Sequence, residues 1–387
     1  MPSTPDPPPA ERPLSEESPA LDRGARTSRW GRILQVLALL ALCAIGAELL
    51  AAYAETTGDP AGIAFSLVFF AGLYGAPALL VRDLVRRAGW GWPSMLALFA
   101  ALGVVEAGLI DQSLLSADYM GYEGWEENRA PTLLPALGIS GYDALSFVGG
   151  HMIFSFGAPI ALAEAWTPRR ARIPWLGGIG SVIAVLAYLL AAGLILGDPQ
   201  SRTGSAAQLL GAGGTVVVLV LIGAALGRRH RAQPARPDPS DRPASAQPPH
   251  RGTGPRATRS PRGGSVPIWC VIGGAFVLAL IPDFVPPTWP GVAIWAGVLV
   301  AGLAGLGIAG TRAGWTLRHS AAVGFGVLLE RGLMAFTYDP LLGEVSAAAK
   351  YGHNVVMLLV VLAAGVLALR RSGRTSPPAP PHRPATS

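Results

Sequence analysis

Ten runs of about 20 apolar residues fix most of what this chain is able to become. Each is long enough to cross a hydrocarbon core roughly 30 Å thick as a helix. They fall at 33–54, 61–81, 93–111, 146–166, 174–197, 206–227, 266–283, 290–310, 319–337 and 352–370. The runs are too long for strands and rich in Leu and Ala. Helices satisfy their own backbone groups where no water is present, so the sequence predicts an all-α polytopic membrane protein of about ten transmembrane helices. Charge agrees: 14% of the 387 residues are charged, where soluble proteins carry about 25%. Trp30, Trp92, Trp166, Trp175, Trp289 and Trp315 stand near run ends, as an interfacial belt requires.

Basic residues give the orientation. With both termini in the cytoplasm, 26 of the 30 Arg and Lys fall on the inner side, and only Arg129, Arg202 and Lys350 fall outside. Arg331 lies within a run. Such a bias predicts a multi-pass protein of the bacterial inner membrane, with cytoplasmic termini. Cys43 and Cys270 lie in separate apolar runs, which excludes a disulfide framework and a thiolate metal site.

The segments between the runs divide the chain. Residues 1–29 hold seven prolines and five acids without the order of a cleaved signal, and read as a disordered cytoplasmic tail. Helices 1–6 occupy 30–227. Residues 228–265, with nine arginines and eight prolines, read as a disordered basic cytoplasmic linker kept inside by its charge. Helices 7–10 follow over 266–370, and 371–387 form a second disordered tail. No folded module or aromatic platform accompanies the arginines, so nucleic acid is not an expected partner. The bilayer is.

An internal repeat runs through the helices. Arg87-Ala88-Gly89-Trp90 precedes the third and Arg312-Ala313-Gly314-Trp315 the ninth. Gly103 and Glu106 in the third answer to Gly326 and Glu330 in the ninth, and Gly150-His151 answers to Gly352-His353. Helices 1–4 and 7–10 would then be parallel copies related by an axis along the membrane normal. That layout resembles the major-facilitator transporters, where a long cytoplasmic loop joins two parallel halves.

Ionisable groups in the hydrocarbon are costly, and are functional candidates by default. Glu48, Glu106 and Glu330 lie about 18–25 Å from the cytoplasmic flank at 1.5 Å per residue. His151, His353 and Asn354 enter the same slab from the other side. These six are the candidate polar-cavity and proton-relay residues, with Arg331 beside Glu330. Glu164 lies at the inner end, where Arg169 and Arg170 are its expected ion-pair partners. The outer loop 112–145 is acidic and aromatic, with Tyr119, Tyr122 and Trp125, and reads as a lid over the slab. No ligand cluster for a metal and no cofactor signature is present, so none is expected. Gly297, Ala301, Gly305 and Ala309 form a small-residue stripe that suits a neighbouring helix or a second copy in a homodimer.

Two resemblances bear on function. Tyr74 to Leu115 (YGAPALLVRDLVRRAGWGWPSMLALFAALGVVEAGLIDQSLL) is similar to a recurring segment of uncharacterised multi-pass bacterial membrane proteins. Glu106, followed on the next helix by Phe147-Val148-Gly149-Gly150-His151, resembles the CAAX-protease and bacteriocin-processing family of intramembrane glutamic proteases. That resemblance implies Glu106 as general base and His151 as its support. The family's paired glutamate and downstream arginine are absent around Glu106, and His353-Asn354 stands far downstream. The leading expectation is therefore a proton- or ion-coupled transporter or permease, with an outward-facing Glu/His cavity and a small solute or ion as its partner. A glutamic hydrolase and a non-catalytic membrane scaffold are the alternatives.

Overall fold

A computed structural model of the chain describes residues 29–50, 53–232, 266–310, 314–340 and 342–373. Each of the ten apolar runs is a helix. In chain order they are α1 (Arg29–Leu49), α2 (Pro60–Arg87), α3 (Trp92–Ile110), α4 (Gly141–Trp166), α5 (Gly178–Gly197), α6 (Ala206–Ala232), α7 (Ile268–Phe284), α8 (Trp289–Gly310), α9 (Leu317–Met334) and α10 (Ala347–Ser372). Eight are long and apolar enough to span a membrane. The other two fall short for different reasons: α7 is too short, and α9 carries Arg318, Glu330 and Arg331. The protein is an all-α polytopic membrane protein. Its described strands are two residues each, β1 (Leu133–Leu134) antiparallel to β2 (Ile139–Ser140).

Helix starts are set locally. Asp59 caps α2 by accepting from Ala61 N and Gly62 N, with Pro60 at the first helical position, where its missing N–H costs nothing. Ser140 caps α4 through Asp143 N. Thr316 and His319 close a reciprocal capping box at α9, and Ser346 caps α10. The α4 start at Gly141 lies earlier than the 146–166 run, so Tyr142 and Asp143 belong to its first turn. Helix α6 continues through the basic Arg228–Ala232 before the linker. Residues 1–28, 233–265 and 374–387, where the tails and most of the linker were expected, lie outside the described residues.

Side-chain ties show that the helices alternate in direction. At one end, Gln35 of α1 bonds Ala163 O of α4, and Arg371 of α10 bonds Trp166 O. At the other end, Gln112 after α3 accepts from Thr203 N and Gly204 N before α6. There too, Tyr142 of α4 reaches Val285 O after α7. This second end carries the loop between α3 and α4 and is the outer end of the charge-based expectation.

The core lies among α1–α4, α9 and α10. Leu39, Cys43, Leu73, Leu79, Phe99, Phe156, Ile160 and Leu162 fill the space between the two polar ends. Helices α5, α6 and α8 bury few residues, α8 none in its most apolar stretch. Gly297 and Gly305 of the small-residue stripe meet no other helix among the described residues.

Residues matched by the repeat meet different partners. Gly103 approaches the Val148 carbonyl of α4, whereas Gly326 lies against the Ile272 carbonyl of α7. Arg312 and Ala313 lie outside the described residues.

Candidate functional site

Four helices change their winding at one level. Glu48 lies in the π-helical segment Ile45–Leu49, Tyr74 in Ala71–Gly75, Glu106 in Glu106–Ile110 and His151 in His151–Gly157. A π turn accommodates an extra residue, so it bulges and frees backbone groups; such turns are frequent at functional sites. Two glycines make the close approach possible. A Cβ on Gly46 would collide with the Phe154 carbonyl, and one on Gly75 would stand 2.7 Å from Leu40 Cα.

The side chains at this level form a connected set. The Tyr74 hydroxyl donates to Glu48 Oε1 at 2.6 Å, and its ring stacks on His151 with centroids 5.3 Å apart. His151 Nδ1 pairs with Ser155 Oγ at 3.1 Å. Glu106 is 2% exposed, and its Oε1 has no hydrogen-bond partner. Glu48, Glu106 and Asp111 lie within electrostatic reach of one another. The Asp111 carboxylate also accepts from the Ser113 N–H and hydroxyl. Tyr119, in the outer loop, faces Asp111. Burial, then the nearby Asp111, pushes its phenol well above the ordinary range, so it stays a protonated donor.

The second group of candidates divides. Arg331 reaches the fields of both Glu48 and His151, and its guanidinium lies 5.2 Å from the Phe154 ring centroid. Its Nε is buried without a partner. Adjacent Glu330 faces away toward Asp283 and Tyr338, and neither of its oxygens completes a hydrogen bond. His353 Nε2 donates to Leu49 O at 2.8 Å, while Nδ1 is unpaired. Asn354 donates to Ala335 O at 2.9 Å. The last two tie α10 to the ends of α1 and α9. The structure thus gathers Glu48, Glu106, His151 and Arg331, and sets Glu330, His353 and Asn354 at its margin.

Glu164 has other partners than expected. Arg86 grips it through Nε at 2.9 Å and Nη2 at 2.7 Å, and Arg82 Nε adds a bond at 3.1 Å. Arg170 turns instead to Gln35 Oε1. Arg82 is wholly buried. Its remaining N–H groups reach Asp83 and the carbonyls of Ile173, Arg170 and Ala171, and its plane lies 3.8 Å from the Trp175 ring. Asp83 in turn accepts from Trp175 N and Leu176 N. In the sequence Arg82 is one of the 26 inner-side cations and nothing more. The signal that marks it is Asp83, an acid set among inner-side arginines.

Tyr74 and Asp111 were also missed. An aromatic in an apolar run reads as packing until its hydroxyl is asked for a partner. Asp111 closes the third run, and an acid at the end of an apolar run reads as a flanking residue until the fold sets it beside Glu106. Among the described residues no three His, Cys, Asp or Glu side chains converge to hold a metal ion. Among the described residues no hydrogen bond joins Glu106 to His151, the dyad implied by the protease resemblance; His151 Nδ1 pairs with Ser155 Oγ instead.

An uncharacterized membrane protein family matches residues 33–375. The chain belongs to that family. Membership fits the Tyr74–Leu115 resemblance and adds membrane residence without an activity. No curated protein and no solved structure matches the chain.

Proposed function

We propose that this membrane protein is a proton-coupled carrier whose coupling group is Glu106, set in an outward-facing chamber with Glu48, Tyr74 and His151. The observation that carries this reading is where the buried polar atoms without partners lie. They belong to Glu106, Ser116, Arg129, Glu330, Arg331 and His353, all in the outer loop or at the outer ends of α3, α9 and α10. The inner end, with more charges, leaves no such atom among the described residues. Buried polar groups are nearly always bonded, and an isolated charge in a low-dielectric site is costly. A cluster of orphans at one end is therefore a place that exchanges partners, with protons, water or solute supplying what the protein does not.

Three carboxyl groups and one guanidinium share this level, and the guanidinium reaches Glu48, so a counter-cation would balance the other two. The proton is the smallest candidate, and the Glu48–Tyr74 hydrogen bond with the stacked His151 supplies groups able to pass it on. The protein would sit in the bacterial inner membrane with both termini in the cytoplasm, so that the chamber opens outward.

The test uses full-length protein in liposomes that enclose a pH dye. An inward proton gradient is imposed while charged and neutral solutes are added in turn. A solute-dependent proton flux is expected, and Glu106→Gln should abolish it while inserting and eluting as the wild type does. Equal flux in wild type and Glu106→Gln would leave the outer cluster as hydrogen bonding between helices, the scaffold reading.

A further inference from the structure

We infer that the solute taken by the outer chamber is an organic cation, an ammonium group on a small carbon frame. The assignment rests on the carrier reading for its transport, but on separate observations for its chemistry.

Charge comes first. The chain as a whole is basic, with a formal net charge of +6, yet its outer loop is acidic. Asp118, Glu123, Glu126 and Glu127 are exposed there. The loop's one base, Arg129, is buried; its Nη2 donates to the Gly138 carbonyl and its Nη1 stands 3.6 Å from Glu126, which leaves the loop net acidic. Exposed acids on the outer loop draw cations toward it and turn anions away. Below them lie Asp111 and Glu48, and deeper still is Glu106 with its unpaired, buried Oε1. A cation moving inward passes from screened surface acids to a carboxyl whose Oε1 has no hydrogen-bond partner.

Size and shape come next. Glu48, Glu106 and Asp111 share one field but do not converge as ligands on a single point. Spread acids suit a charge carried on a larger body better than a bare metal ion, which needs several oxygens at about 2–2.6 Å. The outer loop supplies the complementary surface. Trp125 packs against Tyr119 and Phe147 with centroids 5.2 and 5.9 Å apart, and Tyr122 meets it edge-on at 6.3 Å. Aromatic faces next to carboxylates are how proteins bind alkylated ammonium groups. Tyr119 joins the two features, its ring in the aromatic group and its hydroxyl toward Asp111.

The experiment measures binding, so it is independent of turnover. Purified full-length protein is titrated with radiolabelled tetraethylammonium chloride, and competitors are added as chlorides. Saturable binding is expected, displaced by methylammonium and tetramethylammonium and not by an equal concentration of sodium. Glu106→Gln should weaken it roughly 30-fold or more, the effect of removing one partner of a buried charge contact. Tyr119→Leu should weaken it roughly 2- to 30-fold, and Tyr119→Phe, which keeps the ring, should retain most of it.

Absence of saturable binding to monodisperse protein would overturn the assignment, as would equal displacement by sodium. If Tyr119→Phe fails as badly as Tyr119→Leu, the hydroxyl rather than the aromatic face matters, and the organic character of the ligand is refuted. Ammonium binding without coupled proton flux would sink the carrier reading and keep this one. Coupled flux of a neutral or anionic solute without ammonium binding would do the reverse.

Discussion

Replacing Arg82 with Met tests the inner end of the bundle. Met keeps an apolar stem of similar reach and removes the guanidinium. Five hydrogen bonds go with it: one each to Glu164, Asp83, and the carbonyls of Ile173, Arg170 and Ala171. The losses are unequal. Glu164 keeps both bonds from Arg86, Asp83 keeps Trp175 N and Leu176 N, and Arg170 O keeps Trp175 Nε1. The Ile173 and Ala171 carbonyls lose the guanidinium donor. Breaking a buried charge pair from one side typically costs about 3–5 kcal/mol, and we expect Arg82→Met in that range. Arg86 makes two bonds, both to Glu164, and its side chain is 10% exposed. Arg86→Met should cost about 1.5–3 kcal/mol, the range for a charged hydrogen bond. Reversible unfolding in mixed detergent micelles, followed by tryptophan fluorescence, measures both. A loss below about 1 kcal/mol for Arg82→Met, or a smaller loss than for Arg86→Met, would refute the view that Arg82 centres the network.

Further outcomes follow from the topology and the helix crossings. Reporter fusions should place residues 112–140 outside and 233–265 in the cytoplasm, and a cytoplasmic signal from the first would overturn both orientation and alternation. Gly46→Ala should destabilise by about 1–3 kcal/mol, because its Cβ meets backbone that cannot rotate away. Gly352→Ala is the control: nothing lies within 4 Å of its Cβ position, and replacing a helical glycine there should be neutral or stabilising by up to about 1 kcal/mol. Equal effects of the two in the same micelle assay would mean that α1 and α4 do not cross closely at Gly46.

Membrane residence and helical architecture were legible because lipid enforces them. A run long enough to span the bilayer has one way to satisfy its backbone, so each run became a helix. The site was legible only in part. Glu48, Glu106 and His151 stood out because ionisable groups are rare at that depth, but sequence depth says nothing of direction. Glu330 lies in the same slab and points elsewhere. Arg82 was hidden for the opposite reason, since arginines are ordinary at an inner helix end and only the fold reveals which one is wholly buried. The π segments left no pattern to read, because one extra residue in a turn leaves an apolar run apolar. Matched glycines in the repeat also misled about contact: Gly103 and Gly326 are both close-packing positions, but against different helices.

The two polar ends are joined through shared helices, and that makes a last prediction. On α2, Tyr74 and Arg82 are eight residues apart, about 12 Å; on α4, Ser155 and Glu164 are nine apart. Between them the buried core is apolar, and Cys43 of α1 sits within it, wholly buried. In a carrier of the proposed kind an inward opening parts α1, α2 and α4 below the chamber, which means breaking the contacts of Glu164 with Arg82 and Arg86. The network is then the inner seal, and Cys43 lies behind it. With Cys270, which is exposed, replaced by Ala, Cys43 should resist a maleimide in the resting protein. Glu164→Gln removes the charge that Arg82 and Arg86 share across to α4 and leaves the apolar core untouched, so it should raise the fraction of open molecules and the labelling rate together. Circular dichroism and elution volume distinguish opening from unfolding. Unchanged Cys43 labelling in a folded Glu164→Gln protein would show that the inner network is a fixed anchor, and the seal would have to be sought elsewhere.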